Sequence, residues 1–310
     1  TVLDVGCGTG LFAHKVSKLG PKHVLGIDFS QEAIEIAMKT HKNRNLQYQV
    51  LDAKEIKSKY DVIISEPSNP WMAGLATLFT KEFFSLARDG LNDDGSFLQF
   101  LHSYEMDWST FSLVGRTFAR VFPNSLIIST SVGTYRDCLL IGIKGASKLA
   151  MKNVHRNLPY AQQSTNVKIL DPTLIYRFIV SEDLEMLFGE GPINTDSHPR
   201  LEFSAPKLMF YKTSADCGPM IAENINKRKW VGATTQRFIE KVDTDVDMQI
   251  DFAAYAFSVY SPLEDMVDLS SMNEVQKKRF FKMAEDYCAQ NTIKYSILKG
   301  EDLIERCKDI

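Results

Sequence analysis

Short runs of apolar and β-branched residues alternate along the first half of the chain with stretches whose apolar positions recur at helical spacing. VLDV (2–5), HVLGID (23–28), LQYQVL (46–51) and YDVIIS (60–65) read as strands, and helical periodicity runs from near Leu11 to Leu19 and from near Gln31 to His41. That alternation predicts a parallel sheet with crossover helices. The pattern continues through a helix near Leu78 to Arg88, the strand GSFLQFL, a helix near Ser109 to Val121 and two closing strands, NSLIIST and DCLLIGI. No helical stretch separates the last two, which predicts an antiparallel hairpin at the sheet edge.

After about Lys144 the texture changes. PYAQQSTN reads as a loop, Leu174 to Phe188 as a helix, and the chain past Asp216 as mostly amphipathic helix. Three units are expected: an α/β domain over 1–145, a segment over 146–215 packing near the site, and a helical appendage over 216–310. Thr1 leads directly into a strand, so a preceding segment is expected to have been removed. A formal charge of −3 and the lack of a dense Lys/Arg run disfavour nucleic acid as a partner. Cys7, Cys138, Cys217, Cys288 and Cys307 form no CxxC pair and no Cys/His cluster, so neither a zinc site nor a disulfide framework is expected. A reducing, cytoplasmic setting follows as the simpler expectation. No apolar stretch is long enough to span a bilayer.

The first chemical motif is Asp4-Val5-Gly6-Cys7-Gly8-Thr9-Gly10. Glycines on alternate positions let the backbone turn sharply after a strand and approach a ligand where any Cβ would collide. A dinucleotide loop would want a further glycine where Leu11 stands, which makes NAD the weaker reading of the same turn. Asp28, ending the second strand, can accept both hydroxyls of a ribose, and Asp52, after the third, can accept an adenine amine; ordinary turn glycines and surface acids are the bland alternative. The motif resembles motif I of S-adenosylmethionine (AdoMet) dependent methyltransferases. That resemblance implies a class I methyltransferase fold, an α/β Rossmann-like sheet of order 3-2-1-4-5-7-6, with AdoMet held by Asp4, Gly6, Gly8, Gly10, Asp28 and Asp52.

The second motif is SEPSNPWMAG (65–74), which follows the fourth strand and so lies beside the first. The run from Asp61 to Gln99 resembles the spermidine synthase family, especially the bacterial members fused to membrane domains. Glu66 stands at that family's catalytic acid, Asn69 at its second acid and Pro70 at its shared proline, while Leu78-Phe79 and Glu82-Phe83-Phe84 open the helix that follows. Further on, INTDSHPRLEFSAP resembles the family's C-terminal segment through Asn194, His198, Phe203 and Pro206, with Ile193 where a tyrosine is usual. The resemblance covers roughly residues 1 to 210, and it leaves room for a membrane domain upstream.

Two departures bear on the chemistry. Thr9 occupies the place of the acid that holds the amine of decarboxylated AdoMet in aminopropyltransferases, and Asn69 removes a charge that would pair with a diamine. Glu66 keeps a carboxylate, and an amine nucleophile needs a base within hydrogen-bond reach. Three further residues are candidates for the acceptor side. Trp71 can wall an acceptor by cation–π attraction, worth about 0.5–2 kcal/mol, or pack in the core. Gln99 can point at the acceptor or satisfy a neighbouring backbone group. His198 lies in a Pro-flanked loop and can serve function or structure. DTDVDMQID lacks the central glycine and terminal glutamate of a calcium loop and reads as a solvated acidic turn, and Met248 to Tyr260 reads as the apolar face of a helix. The expectation is an AdoMet-dependent transferase, most simply a methyltransferase acting on an amine or other small nucleophile without a metal. Aminopropyl transfer from decarboxylated AdoMet to a polyamine is the alternative, and a non-catalytic AdoMet-binding protein is the third class.

Overall fold

A computed structural model of the protein describes residues 1–67, 70–72, 74–129, 137–145, 179–208, 217–218, 220–221 and 273–283. The strands are β1 (Val2–Val5), β2 (Val24–Asp28), β3 (Leu46–Val50), β4 (Tyr60–Ser65), β5 (Leu91–His102), β6 (Ser125–Ser129), β7 (Asp137–Ile143) and β8 (Ile179–Ser181). They form one sheet of order β3-β2-β1-β4-β5-β7-β6-β8. The first five pair in parallel, whereas β7 runs antiparallel to both β5 and β6. The expected seven-strand order is therefore present, extended by one strand at the β6 edge.

That eighth strand corrects part of the sequence reading. Of the stretch expected to be helical from Leu174 to Phe188, Ile179–Ser181 is a strand pairing antiparallel with β6, and the helix is limited to Leu184–Phe188. Edge pairing outweighs helical periodicity here because Ile179 and Val180 are β-branched or edge-compatible residues that become fully buried on an otherwise open strand. The start of that stretch, the PYAQQSTN loop, DTDVDMQID and the Met248 to Tyr260 face lie outside the described residues. Of the expected helical appendage over 216–310, the described residues are 217–218, 220–221 and 273–283, and 218, 220–221 and 274–283 are helical.

Among the described residues the sheet is covered by helices α1 (Leu11–Ser17), α2 (Gln31–Thr40), α3 (Lys81–Asp89), α4 (Trp108–Val121), α5 (Leu184–Phe188) and α6 (Arg200–Leu208). β1 is buried along its whole length, as a central parallel strand covered on both faces must be. On one face Val2, Val24, Leu46 and Ile64 pack with Ala13 of α1. On the other, Leu3, Val5, Ile63 and Phe97 meet Phe84 of α3 and Phe118 of α4, with the Phe84 and Phe118 rings edge to face at 5.2 Å. α3 starts where it does because the Thr80 hydroxyl accepts from the Phe83 amide, and Phe83, Phe84 and Ala87 then share one buried stripe.

Two consequences position the site. The chain leaves β1 toward β2 and β3 on one side, and β4 leads to β5 on the other, so the carboxyl ends of β1 and β4 border the crevice of a topological switch point. Asn194, fully buried, locks the later segment to the domain: its Nδ2 donates to the Phe79 carbonyl, its Oδ1 accepts from the Leu201 amide, and its own amide donates to the Thr117 hydroxyl.

Candidate active site

β1 ends at Val5, and the chain turns through Gly6, Gly8 and Gly10 at φ of 71°, 54° and 83°. These left-handed values are the reason for glycine at each place. The three differ in what lies in front of them. A Cβ on Gly6 or Gly8 would meet nothing within 4 Å, whereas one on Gly10 would fall 2.6 Å from the Tyr48 hydroxyl. Tyr48 donates to the Gly10 carbonyl at 3.0 Å, so Gly10 makes room for β3 while Gly6 and Gly8 face open space.

That space is a cavity of about 350 Å³ lined by the turn Gly6–Thr9, by Leu11, Phe12 and Lys15 of α1, and by Asp4 and Glu66. Leu11 and Phe12 are exposed apolar side chains on its wall, and two carboxylates and an ammonium supply its charge. Asp4 is 2% exposed and its Oδ2 has no hydrogen-bond partner. Burial, with the Glu66 charge adding to it, raises its pKa from the ordinary 3.8 to about 7. Glu66 is raised as well, by its own desolvation, with Lys15 opposing. Such a pair accepts a cation readily, because a positive group beside Asp4 satisfies the orphaned oxygen and offsets the mutual repulsion.

The sign of the Asp4 shift has a measurable consequence. A carboxyl whose folded pKa exceeds its unfolded value contributes stability that is present below about pH 4 and is lost as pH rises through about 7. Asp4→Asn is therefore expected to flatten the stability profile between those values and to make the ligand-free protein more stable above pH 7, by up to about 4 kcal/mol at 1.36 kcal/mol per unit. Chemical denaturation of both forms from pH 4 to 8 measures it. Parallel profiles would mean that Asp4 is ionised without penalty.

Asp28 lies outside that lining, on the β2 side of the crevice, and is 8% exposed. Its Oδ2 accepts from the Gly8 amide and its Oδ1 from the Ser30 amide, both at 2.9 Å. It thus fixes the glycine turn, and its remaining lone pairs stay available for ribose hydroxyls. Asp28→Ala is expected to weaken AdoMet by about 1.5–3 kcal/mol, the scale of hydrogen bonds to a charged group, in calorimetry. Unchanged affinity would confine Asp28 to the turn. Asp52 is exposed and caps the short turn Ala53–Glu55, accepting from the Lys54 amide at 2.9 Å. Cys7 also lines the cavity, but burial and the Asp4 and Asp28 charges push its thiol up to about 12, which excludes a thiolate nucleophile near neutral pH.

The acceptor-side candidates are not gathered at one point. Asn69 lies outside the described residues. Trp71 is 8% exposed and packs in the main core, its ring 5.8 Å from Tyr104 and 6.2 Å from His102. Gln99 is fully buried opposite Ser65 in the β4–β5 register; its Nε2 donates to the Phe100 carbonyl, while its Oε1 and the Ser65 hydroxyl oxygen lack partners. His198 is exposed in a turn, with Nδ1 3.1 Å from the Ser197 hydroxyl, and the neighbouring Asp196 amide donates to Glu82 on α3. None of these described side chains lines the cavity.

Two arrangements escaped the sequence reading. Lys15 was detectable in principle, since it falls four residues after Leu11 on the helix that leaves the glycine turn. His102 was not, because its Nδ1 contact with the Asp137 carboxylate at 3.3 Å depends on β5–β7 register. With Ser65 opposite Gln99, His102 lies about 7 Å further along the sheet edge than Glu66, at roughly 3.3 Å per strand residue. Burial lowers its pKa more than Asp137 raises it, so the ring is neutral at pH 7.

Strand order, antiparallel β7 and the glycine turn at the β1–β4 crevice define the class I methyltransferase fold. Residues 2–90 match the family described as Methyltransferase domain. Among curated proteins, the chain is 33% identical over 93 residues to the malonyl-[acyl-carrier protein] O-methyltransferase of Bacillus cereus, covering 29% of this chain and 35% of that one. It is 35% identical over 100 residues to the release factor glutamine methyltransferase of Streptococcus pneumoniae, again 29% and 35%. The chain thus spans about a third of the length of these curated relatives. Among solved structures, a probable spermidine synthase from Corynebacterium glutamicum aligns over 63% of this chain and 71% of its own, at 14% identity and a TM-score of 0.46. The residues present fit an S-adenosylmethionine cofactor: Gly6 and Gly8 leave its volume open, and Asp4 offers an unpaired carboxylate oxygen to a cation. Among the described residues no helix is long and apolar enough to cross a membrane.

Proposed function

We propose that this protein is an AdoMet-dependent methyltransferase of the spermidine synthase-like kind, acting on an amine or another small nucleophile. The observation that carries the reading is the cavity at the β1–β4 crevice, where the orphaned Asp4 oxygen and Glu66 share a wall with the open glycine turn. Asp4, Gly6 and Gly8 hold the cofactor, with Asp28 and Asp52 toward its nucleoside end. When bound, the cofactor supplies a methyl carbon activated by a sulfonium. The protein's part is to hold the nucleophile in line with that carbon, and positioning of this kind is worth effective molarities of about 10⁵–10⁸ M. Glu66 orients the nucleophile and takes its proton, and the upward shift of its pKa by desolvation makes it a stronger base than a free glutamate.

Several finer assignments belong to the same proposal. Asn69, Trp71, Gln99 and His198 stand on the acceptor side. Residues 146–215 act as a segment closing on the domain, which the burial of Asn194 and the pairing of β8 support, and 216–310 form a mostly helical appendage anchored by Cys217 and Ile221, both buried in the main core. The protein works in the cytoplasm. The test is to titrate the purified chain with AdoMet by calorimetry and then to assay S-adenosylhomocysteine release across amines, thiols and carboxylic acids. Tight binding with no release from any acceptor would favour the non-catalytic alternative. Product formed from decarboxylated AdoMet and a polyamine would favour aminopropyl transfer.

A further inference from the structure

The cavity carries three charged side chains: Asp4 from the floor of β1, Glu66 from the loop after β4, and Lys15 from α1. Lys15 follows Leu11 by one helical turn, which places both on the side of α1 that faces the cavity. Its side chain is exposed and makes no hydrogen bond or ion pair among the described residues. Its charge does reach Glu66, whose carboxyl it holds toward the ionised form.

Two carboxylates alone would suit any cationic ligand. Two carboxylates and one ammonium, leaving one net negative charge when all are ionised, suit a ligand whose cationic groups lie close to an anionic one. AdoMet has that pattern: a sulfonium, an ammonium and a carboxylate on the same short chain, with one net positive charge. Decarboxylated AdoMet keeps both cations and lacks the carboxylate, so it carries two. Asp4, with its buried unpaired oxygen, serves the cationic part of either donor and cannot tell them apart. The group that can is Lys15, which pairs with a carboxylate where one is present and repels the surplus positive charge where it is not.

We propose that Lys15 is the residue that selects AdoMet over its decarboxylated form, by meeting the cofactor carboxylate across the cavity from Asp4. This rests on the cofactor reading above. It goes further by naming the residue that sets the choice of donor, and a chain that excludes decarboxylated AdoMet cannot pass on an aminopropyl group.

The experiment is calorimetry on the wild type, Lys15→Met and Lys15→Arg with four probes: AdoMet, decarboxylated AdoMet, S-adenosylhomocysteine and 5′-methylthioadenosine. The wild type is expected to prefer AdoMet over the decarboxylated donor by about tenfold or more, the scale of a hydrogen bond between charged groups. Lys15→Met is expected to lose about that factor for both carboxylate-bearing probes while methylthioadenosine binds as before, and Lys15→Arg to retain the preference. A wild type that does not discriminate, or a Lys15→Met variant that weakens all four probes equally, overturns the proposal and leaves Lys15 as part of the helix surface. Failure of the wild type to bind any probe, methylthioadenosine included, overturns the cofactor reading instead. Lys15 is exposed, so thermal melts of the variants are expected to match the wild type.

Discussion

Gly8→Val is expected to abolish AdoMet binding in a protein that still folds. Gly8 sits at φ 54°, and a Cβ built there meets no protein atom within 4 Å, so the new side chain enters the cavity without colliding with its surroundings. The fold pays about 1–3 kcal/mol for a β-branched residue in the left-handed region. Binding fares far worse, because the volume filled is the one in front of the Gly6–Thr9 backbone, where the ligand has to lie. Gly10→Ala makes the informative comparison, since its Cβ meets Tyr48 instead. Its damage is expected mainly in stability, with binding reduced only as far as α1 shifts. Calorimetry beside a denaturation curve separates the two effects. A Gly8→Val protein that binds with wild-type affinity would remove the glycine turn from the site.

Glu66→Gln is expected to lower turnover by about 10²–10⁴-fold, the range for losing a general base. The substitution keeps shape and hydrogen-bonding reach and removes basicity. Because Glu66 also lines the cofactor cavity, AdoMet affinity is expected to change by less than about tenfold, the scale of a single exposed charge contact. The pH profile supplies the sharper test. Desolvation raises the Glu66 pKa, so the wild-type rate should fall toward acid with a midpoint above that of a free glutamate, and that limb should vanish in the variant. A variant with a normal rate and the same acid limb would move proton transfer elsewhere on the β4–β5 edge. His102, neutral and held through Nδ1 by Asp137, would be the next group to replace.

Local chemistry accounts for what could be read along the chain. Strand and helix periods, the turn DVGCGTG and the acid after the fourth strand all act over a few residues, so the alternating architecture, the β1 and β4 loops and the candidacy of Asp4, Gly8, Asp28 and Glu66 could be read from the order of residues alone. Even the antiparallel hairpin followed from a missing helical stretch. The rest depended on contacts between residues far apart. Whether Ile179 and Val180 become helix or strand is decided by the open edge of β6, which no local window contains. Three glycines of one motif divide into two that face a cavity and one that faces Tyr48, because β3 passes over only the last. Trp71 and Gln99, as plausible at an acceptor as in a core, are buried by distant neighbours, Trp71 beside His102 and Tyr104 and Gln99 between Ser65 of β4 and Leu140 of β7. Sequence determined which chemical groups this protein owns and the elements that carry them. Only the tertiary structure decided which of those groups share a cavity, and the burial of Asp4 together with the nearby Glu66 charge, not residue identity, raises its carboxyl pKa to about 7.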